Sequence, residues 1–154
     1  MKPRFHHHDP FPRVAGEATD LCERLRAGLE HRAEALILRV YGEADAYTRH
    51  RWQRILDTAL TRAAGTGRLV VDLSGTQFIG CRPILDLAER AQYGLSRGVQ
   101  VVVFNPLPGV MDRVVAIAGL NEWLPVYPTM VEALAVPAPG ATPARPVVPV
   151  PGAR

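Results

Sequence analysis

The stretch L-V-V-D-L at 69–73, continued by S-G-T-Q-F-I at 74–79, sets the reading of the chain. Four apolar residues in five, with no polar alternation, describe a strand covered on both faces, as in a parallel sheet rather than an exposed hairpin. Ser74-Gly75 is expected to break it. Working outward, Pro83 to Ser96 reads as a helix with the stripe Ile84, Ala88, Ala91 and Leu95. Pro83 suits the first turn and Gly98 marks the stop. Val99 to Phe104 is a second buried strand, closed by Asn105-Pro106. On the other side, Leu36 to Val40 reads as a strand. Ala46 to Ala64 reads as a helix carrying Trp52, Ile55, Leu56, Ala59, Leu60 and Ala63 on one face, ended by Gly65 and Gly67.

The remaining elements are shorter. Gly109 to Ala118 reads as a helix with Met111, Val114, Val115 and Ala118 inward and Gly119 as its cap. Leu124 to Tyr127 reads as a short strand, with Trp123 half exposed beside it. Thr129 to Leu134 reads as a last turn or two, Thr129 being the N-cap and Glu132 the capping-box partner. Residues 19–33 allow two readings, because Leu21, Leu25 and Leu29 have helical spacing and an edge strand fits as well. Strand and helix alternate, which implies a mainly parallel sheet with right-handed crossovers.

The 154 residues, 47% hydrophobic and 21% charged, suit one soluble domain with a full core. Three units are expected: a mobile, His-rich lead-in at 1–18, a domain at 19–135, and a tail at 136–154. Six prolines in that tail predict a disordered or polyproline-II segment. No run is long enough to span a bilayer, and the basic start lacks a secretory pattern, so a cytoplasmic protein is expected. Cys22 and Cys81 form no framework and are expected to be thiols. The net charge of +3 comes from scattered arginines, which argues against nucleic acid. His6 to His8 read as a surface tract rather than a metal site, and no cofactor motif is present.

Four segments, in order, resemble a STAS domain of the anti-sigma-factor antagonist type. They are L-R-V-Y-G-E-A-D at 38–45, V-V-D-L-S-G-T-Q-F-I at 70–79, V-V-V-F-N-P-L-P-G-V at 101–110 and G-L-N-E-W-L-P-V-Y-P-T at 119–129. The resemblance implies an α/β fold with a four- to five-stranded mixed, mainly parallel sheet and helices largely on one side. It implies a bacterial, non-enzymatic binding module that switches partners in sigma-factor control. Its partner would be an anti-sigma factor of the serine-kinase-like ATPase kind, and a homodimer stays open.

The switch loop implied by the resemblance is Ile79, Gly80, Cys81, Arg82, Pro83 and Ile84, with Cys81 where the family carries its phosphoacceptor serine. A cysteine is close to unmodified serine in shape and cannot take the phosphate, so a permanently unphosphorylated-like protein is expected. Arg82 would add bulk and charge to the contact surface. Ser74 and Thr76 are the alternative phosphoacceptors, read first as turn and strand chemistry. Glu43 and Asp45 read as a strand-to-helix turn, with Asp45 capping the helix, rather than as a catalytic pair. Asp72 reads as a ligand of turn N–H groups. Two other functions stay open: a subunit of a phospholipid-transport complex, and a redox sensor acting through Cys81.

Overall fold

The computed structural model describes residues 9–32, 34–107, 109–120 and 123–135. The His triplet and the proline-rich tail lie outside the described residues.

A five-stranded sheet runs in the order β1 (Leu25–Arg32), β2 (Ala35–Ala44), β3 (Arg68–Ile79), β4 (Gln100–Phe104), β5 (Val126–Tyr127). The first pair is antiparallel and the other three are parallel. Thus 19–33 resolves mostly as the edge strand, preceded by one helical turn, α1 (Leu21–Arg24). The crossover helices are α2 (Arg49–Ala63), α3 (Cys81–Ser96) and α4 (Val110–Ile117), followed by α5 (Met130–Leu134).

Side-chain alternation divides the sheet into two faces. Leu36, Leu38, Val40, Leu69, Val71, Leu73, Val101 and Val103 join Trp52, Ile55, Leu56, Ala59, Ile84, Leu87 and Leu124 in the main core. Ala35, Ile37, Val70 and Val102 point the other way, where Ala133, Met130 and Leu134 of α5 cover them. Burial on both sides is why these strands read as unbroken apolar runs. Thr129 caps α5 as expected, accepting the N–H of Glu132 at 3.1 Å.

Several boundaries differ from expectation, each for a local reason. The strand does not stop at Ser74-Gly75 but continues to Ile79. Two extra residues on β3, opposite Arg39–Tyr41 and Gly42–Glu43, are absorbed as bulges. α2 begins at Arg49 rather than Ala46, because 45–48 form a turn. Asp45 does not cap the helix. Its Oδ1 accepts from the N–H of Thr48 at 3.0 Å, one turn too early, and Thr48 is the N-cap residue. α3 starts at Cys81, with Gly80 as N-cap and Pro83 third in the helix, where its missing N–H is still harmless.

In α3, Leu95 is exposed and Gly94 takes the inward position. A Cβ on Gly94 would stand 2.9 Å from Leu60 Cδ2 and 3.2 Å from the Val99 carbonyl oxygen. Ala118 is exposed and lies beyond α4, whereas Val115 is buried as expected. The Met111 side chain lies outside the described residues. β5 is shorter than expected, because Leu124 turns into the core ahead of it.

Residues 9–18, expected within the lead-in, pack on the domain. Phe11 is buried in the main core, its carbonyl accepts from Arg51 Nη1 at 3.0 Å, and Glu17 pairs with Arg54. Burial pushes the Glu17 carboxyl up, but Arg54 and the Val14 N–H outweigh this and hold it below its ordinary range.

Candidate functional site

The C-terminal ends of the parallel strands carry the loops that the sequence singles out. Ile79 ends β3, Gly80 follows, and α3 begins. The Gly80 N–H donates to the Ala44 carbonyl at 2.9 Å, tying the end of β3 to the end of β2. Gly80 is extended, with φ −84° and ψ 174°, the ordinary N-cap conformation. It offers no side-chain oxygen, and Pro83 has no N–H. The backbone N–H groups of Cys81 and Arg82 are therefore left without a partner among the described residues. Such a helix start is electropositive and open to a hydrogen-bond acceptor from outside.

Underneath, the first turn of α3 is fastened to α2. The indole N–H of Trp52, fully buried, donates to the Pro83 carbonyl at 2.9 Å. Arg49, the first residue of α2, grips Asp86 with Nε at 2.9 Å from Oδ2 and Nη2 at 3.1 Å from Oδ1. Asp86 has no exposed surface, and Arg82 adds a longer contact at 3.8 Å. Burial pushes the Asp86 carboxyl up. The Arg49 hydrogen bonds and charge, with Gln53 and Arg82, overcome that and keep it below the ordinary carboxylate range. The bond to Asp86 raises the Arg49 guanidinium in turn.

The six loop residues thus divide. Pro83 and Ile84 are buried, Ile79 and Gly80 half-buried, and Cys81 and Arg82 exposed. Cys81 and Cys22 are both free thiols. Phe78, which sequence reasoning passed over, belongs to the same surface. The residue is 50% exposed, and a Cβ on Gly80 would stand 3.5 Å from its Cε2. The signal available was a large aromatic in the polar stretch S-G-T-Q-F that follows the buried apolar run.

Ser74 and Thr76 sit on the bulges of β3. Ser74 donates its N–H at 2.8 Å and its hydroxyl at 2.6 Å to Asp72 Oδ1, and Thr76 donates to the Leu73 carbonyl at 2.6 Å. Asp72, nearly fully buried, accepts the N–H of Ser74, which lies in a bulge of β3 rather than in the expected turn. It also accepts from Arg39 Nη1 at 2.8 Å, a partner the sequence did not reveal. Glu43 and Asp45 share one cation, Arg24, at 3.0 and 3.4 Å, which gives them a structural tie across to α1. Tyr47 completes that corner, donating its hydroxyl to Asp20 at 2.9 Å beneath the Arg24 guanidinium. No helix among the described residues is long and apolar enough to cross a membrane.

The start of α3 is thus fastened from below by Trp52 and Arg49, with Cys81 and Arg82 exposed above. The STAS domain family model matches residues 26–133, and the chain belongs to that family. It is 34% identical over 124 residues to the anti-sigma-F factor antagonist RsfA of Mycobacterium tuberculosis, covering 80% of this chain and 96% of that one. It is 33% identical over 133 residues to Rv2638 of the same organism, provisionally named an anti-anti-sigma factor, covering 86% and 89%. In fold it is similar to an anti-sigma factor antagonist from Mycobacterium paratuberculosis, with TM-score 0.63, 24% identity, and 77% and 95% covered. It is also similar to SpoIIAA, with TM-score 0.55, 18% identity, and 71% and 93% covered.

Proposed function

We propose that this chain is an anti-sigma-factor antagonist: a cytoplasmic, non-enzymatic protein that binds an anti-sigma factor and so releases a sigma factor. The near full-length match to RsfA supports the partner class. The observation that carries the reading is the first turn of α3. Trp52 and Arg49 fix it, Phe78, Cys81 and Arg82 face outward, and two N–H groups await an acceptor. That combination suits recognition of a protein surface, with an aromatic and an arginine as anchors.

In this reading residues 79–84 are the contact loop and Cys81 occupies the phosphoacceptor position of the family. A thiol there makes the antagonist permanently binding-competent toward its partner, because no kinase reaction places phosphate at that atom. The partner is the serine-kinase-like ATPase expected from the resemblance. Ser74 and Thr76 spend their hydroxyls inside the β3 bulges, which favours a structural role over phosphorylation.

The test is affinity capture from native lysate, with and without ATP, read by mass spectrometry. Recovery of an ATPase-type anti-sigma factor in equal amounts under both conditions is the expected result. Recovery of a permease with its ATPase, and no sigma regulator, would replace this reading with the transport one.

A further inference from the structure

The first strand, β1, forms one edge of the sheet, and among the described residues no strand pairs with its outer side. Every residue from Leu25 to Arg32 pairs with β2 in unbroken register, so no bulge twists the edge away. Among the described residues, no backbone hydrogen bond outside that ladder involves residues 26–32. The one side chain among the described residues that bonds the strand's backbone, Arg51, does so at Leu25, at its very start. The strand holds no proline. A long, regular, unprotected edge is a template for another strand.

The sequence of β1 selects which strand. When two copies pair antiparallel about a two-fold axis, opposed residues point to the same face and interact across about 4.5–5.5 Å between Cβ atoms. An axis at Gly28 sets Arg26 of each copy against Glu30 of the other, twice over, and Ala27 against Leu29. An axis at Leu29 would oppose Arg26 to Arg32, like to like. An axis at Ala27 would leave Glu30 facing only Arg24, which lies in α1 and already serves Glu43 and Asp45. The charges are also ordered beforehand on one face of the sheet. Arg26 lies over the Tyr41 ring at 5.5 Å, and Glu30 accepts from Arg39 Nη2 at 2.6 Å. Preordered side chains lose less freedom on association. Gly28 at the axis leaves room for close approach, since a Cβ there would meet nothing within 4 Å. Ala27 and Leu29, only partly buried against the main core, would cover one another.

We propose that the chain self-associates through β1, antiparallel about Gly28, so that two five-stranded sheets become one continuous sheet. This does not rest on the sigma-factor reading, and the platform at the start of α3 takes no part in the pairing.

Sedimentation equilibrium of the full chain from micromolar to millimolar concentration tests it. The expected result is a concentration-dependent dimer. Arg26→Glu alone and Glu30→Arg alone should each weaken it about tenfold or more, and the double exchange should restore it, because the pairs are then remade with signs reversed. Circular-dichroism melts confirm that each variant folds. Hydrogen exchange on the unmodified protein gives an independent readout, as the outward-pointing amides among residues 26–32 should slow when the concentration is raised. A monomer over the whole range, a dimer indifferent to the charge reversals, or a dimer without slowed exchange in β1 would each overturn the proposal.

Discussion

Arg49 and Asp86 form a two-toothed ion pair between the first residue of α2 and the second turn of α3, at 2.9 and 3.1 Å. The carboxylate has no exposed surface, while the guanidinium remains about one-third exposed. The pair therefore keeps one partner in contact with water, which limits the desolvation that makes fully buried pairs unprofitable. It also sets the spacing of the two helices directly under the loop 79–84.

Asp86→Asn is expected to lower stability by about 1.5–3 kcal/mol, the usual range for hydrogen bonds to a charged group, measured as a fall in the urea midpoint without a change in slope. The loss should depend on pH with a definite sign. A carboxyl held below its ordinary range in the fold stabilises in full above the unfolded value, about 4, and loses that contribution as pH falls toward the lower folded value. The gap between the original protein and Asp86→Asn should thus be widest near neutrality and close in acid. A gap that stayed constant down to pH 2 or so would show that the charge of Asp86 is not what matters.

Trp52→Phe keeps most of the buried ring and removes the indole N–H that donates to the Pro83 carbonyl. The expected destabilisation is about 1–3 kcal/mol. The local effect should exceed the global one, since Pro83 lies in the first turn of α3. The amides of Ile84 and Leu85 should exchange faster relative to those of β4, whereas uniform acceleration would mean that the ring is merely core filling.

Gly42→Ala tests a close approach of backbones. Gly42 has φ +100°, and a Cβ there would stand 2.1 Å from the Arg24 carbonyl oxygen, so both conformation and space forbid a side chain. A loss above about 3 kcal/mol is expected, together with detachment of α1 and the start of β1. Thermal unfolding followed at Tyr47, which bonds to Asp20 at that corner, would report it. A near-neutral Gly42→Ala would contradict the observed path of residues 20–25.

How much of this was legible beforehand depends on whether the cause was local. Apolar runs and glycine stops placed β2, β3, β4 and the crossover helices, because two-sided burial leaves an unbroken hydrophobic signature at Leu36–Val40, Leu69–Leu73 and Val99–Phe104. The inward face of α2 was read without error, from Trp52 to Ala63. Long-range pairings were not legible. Ser74-Gly75 has the composition of a turn, yet the bulges that accept it depend on the register against Tyr41 and Gly42 of another strand. Leu95 fits an apolar stripe by spacing, but the space beside Leu60 and Val99 admits only Gly94. The order of the motifs located the loop 79–84. It is held by Trp52 and by the pair Arg49 and Asp86, whose members stand 37 residues apart, and nothing in a linear pattern joins them.

Cys81→Ser bears on the proposed switch most directly. The residue is exposed and opens α3, and serine is an equally small side chain there, so stability should change by no more than about 0.5 kcal/mol. If the loop sits against a serine-kinase anti-sigma factor as proposed, the serine variant should become a substrate: phosphate appears on residue 81 when the partner and ATP are supplied, and complex formation then falls. The physical reason is the added charge of about −1.5 to −2 on a surface previously neutral at that atom. The two N–H groups of Cys81 and Arg82, with the Arg82 guanidinium beside them, would draw that phosphate back onto its own helix start, away from the partner. The unmodified protein, treated identically, should stay unlabelled and bound. Phosphate on the unmodified protein at Ser74 or Thr76, with release of the partner, would show that the switch survives at another hydroxyl. Cys81 would then be an ordinary surface residue.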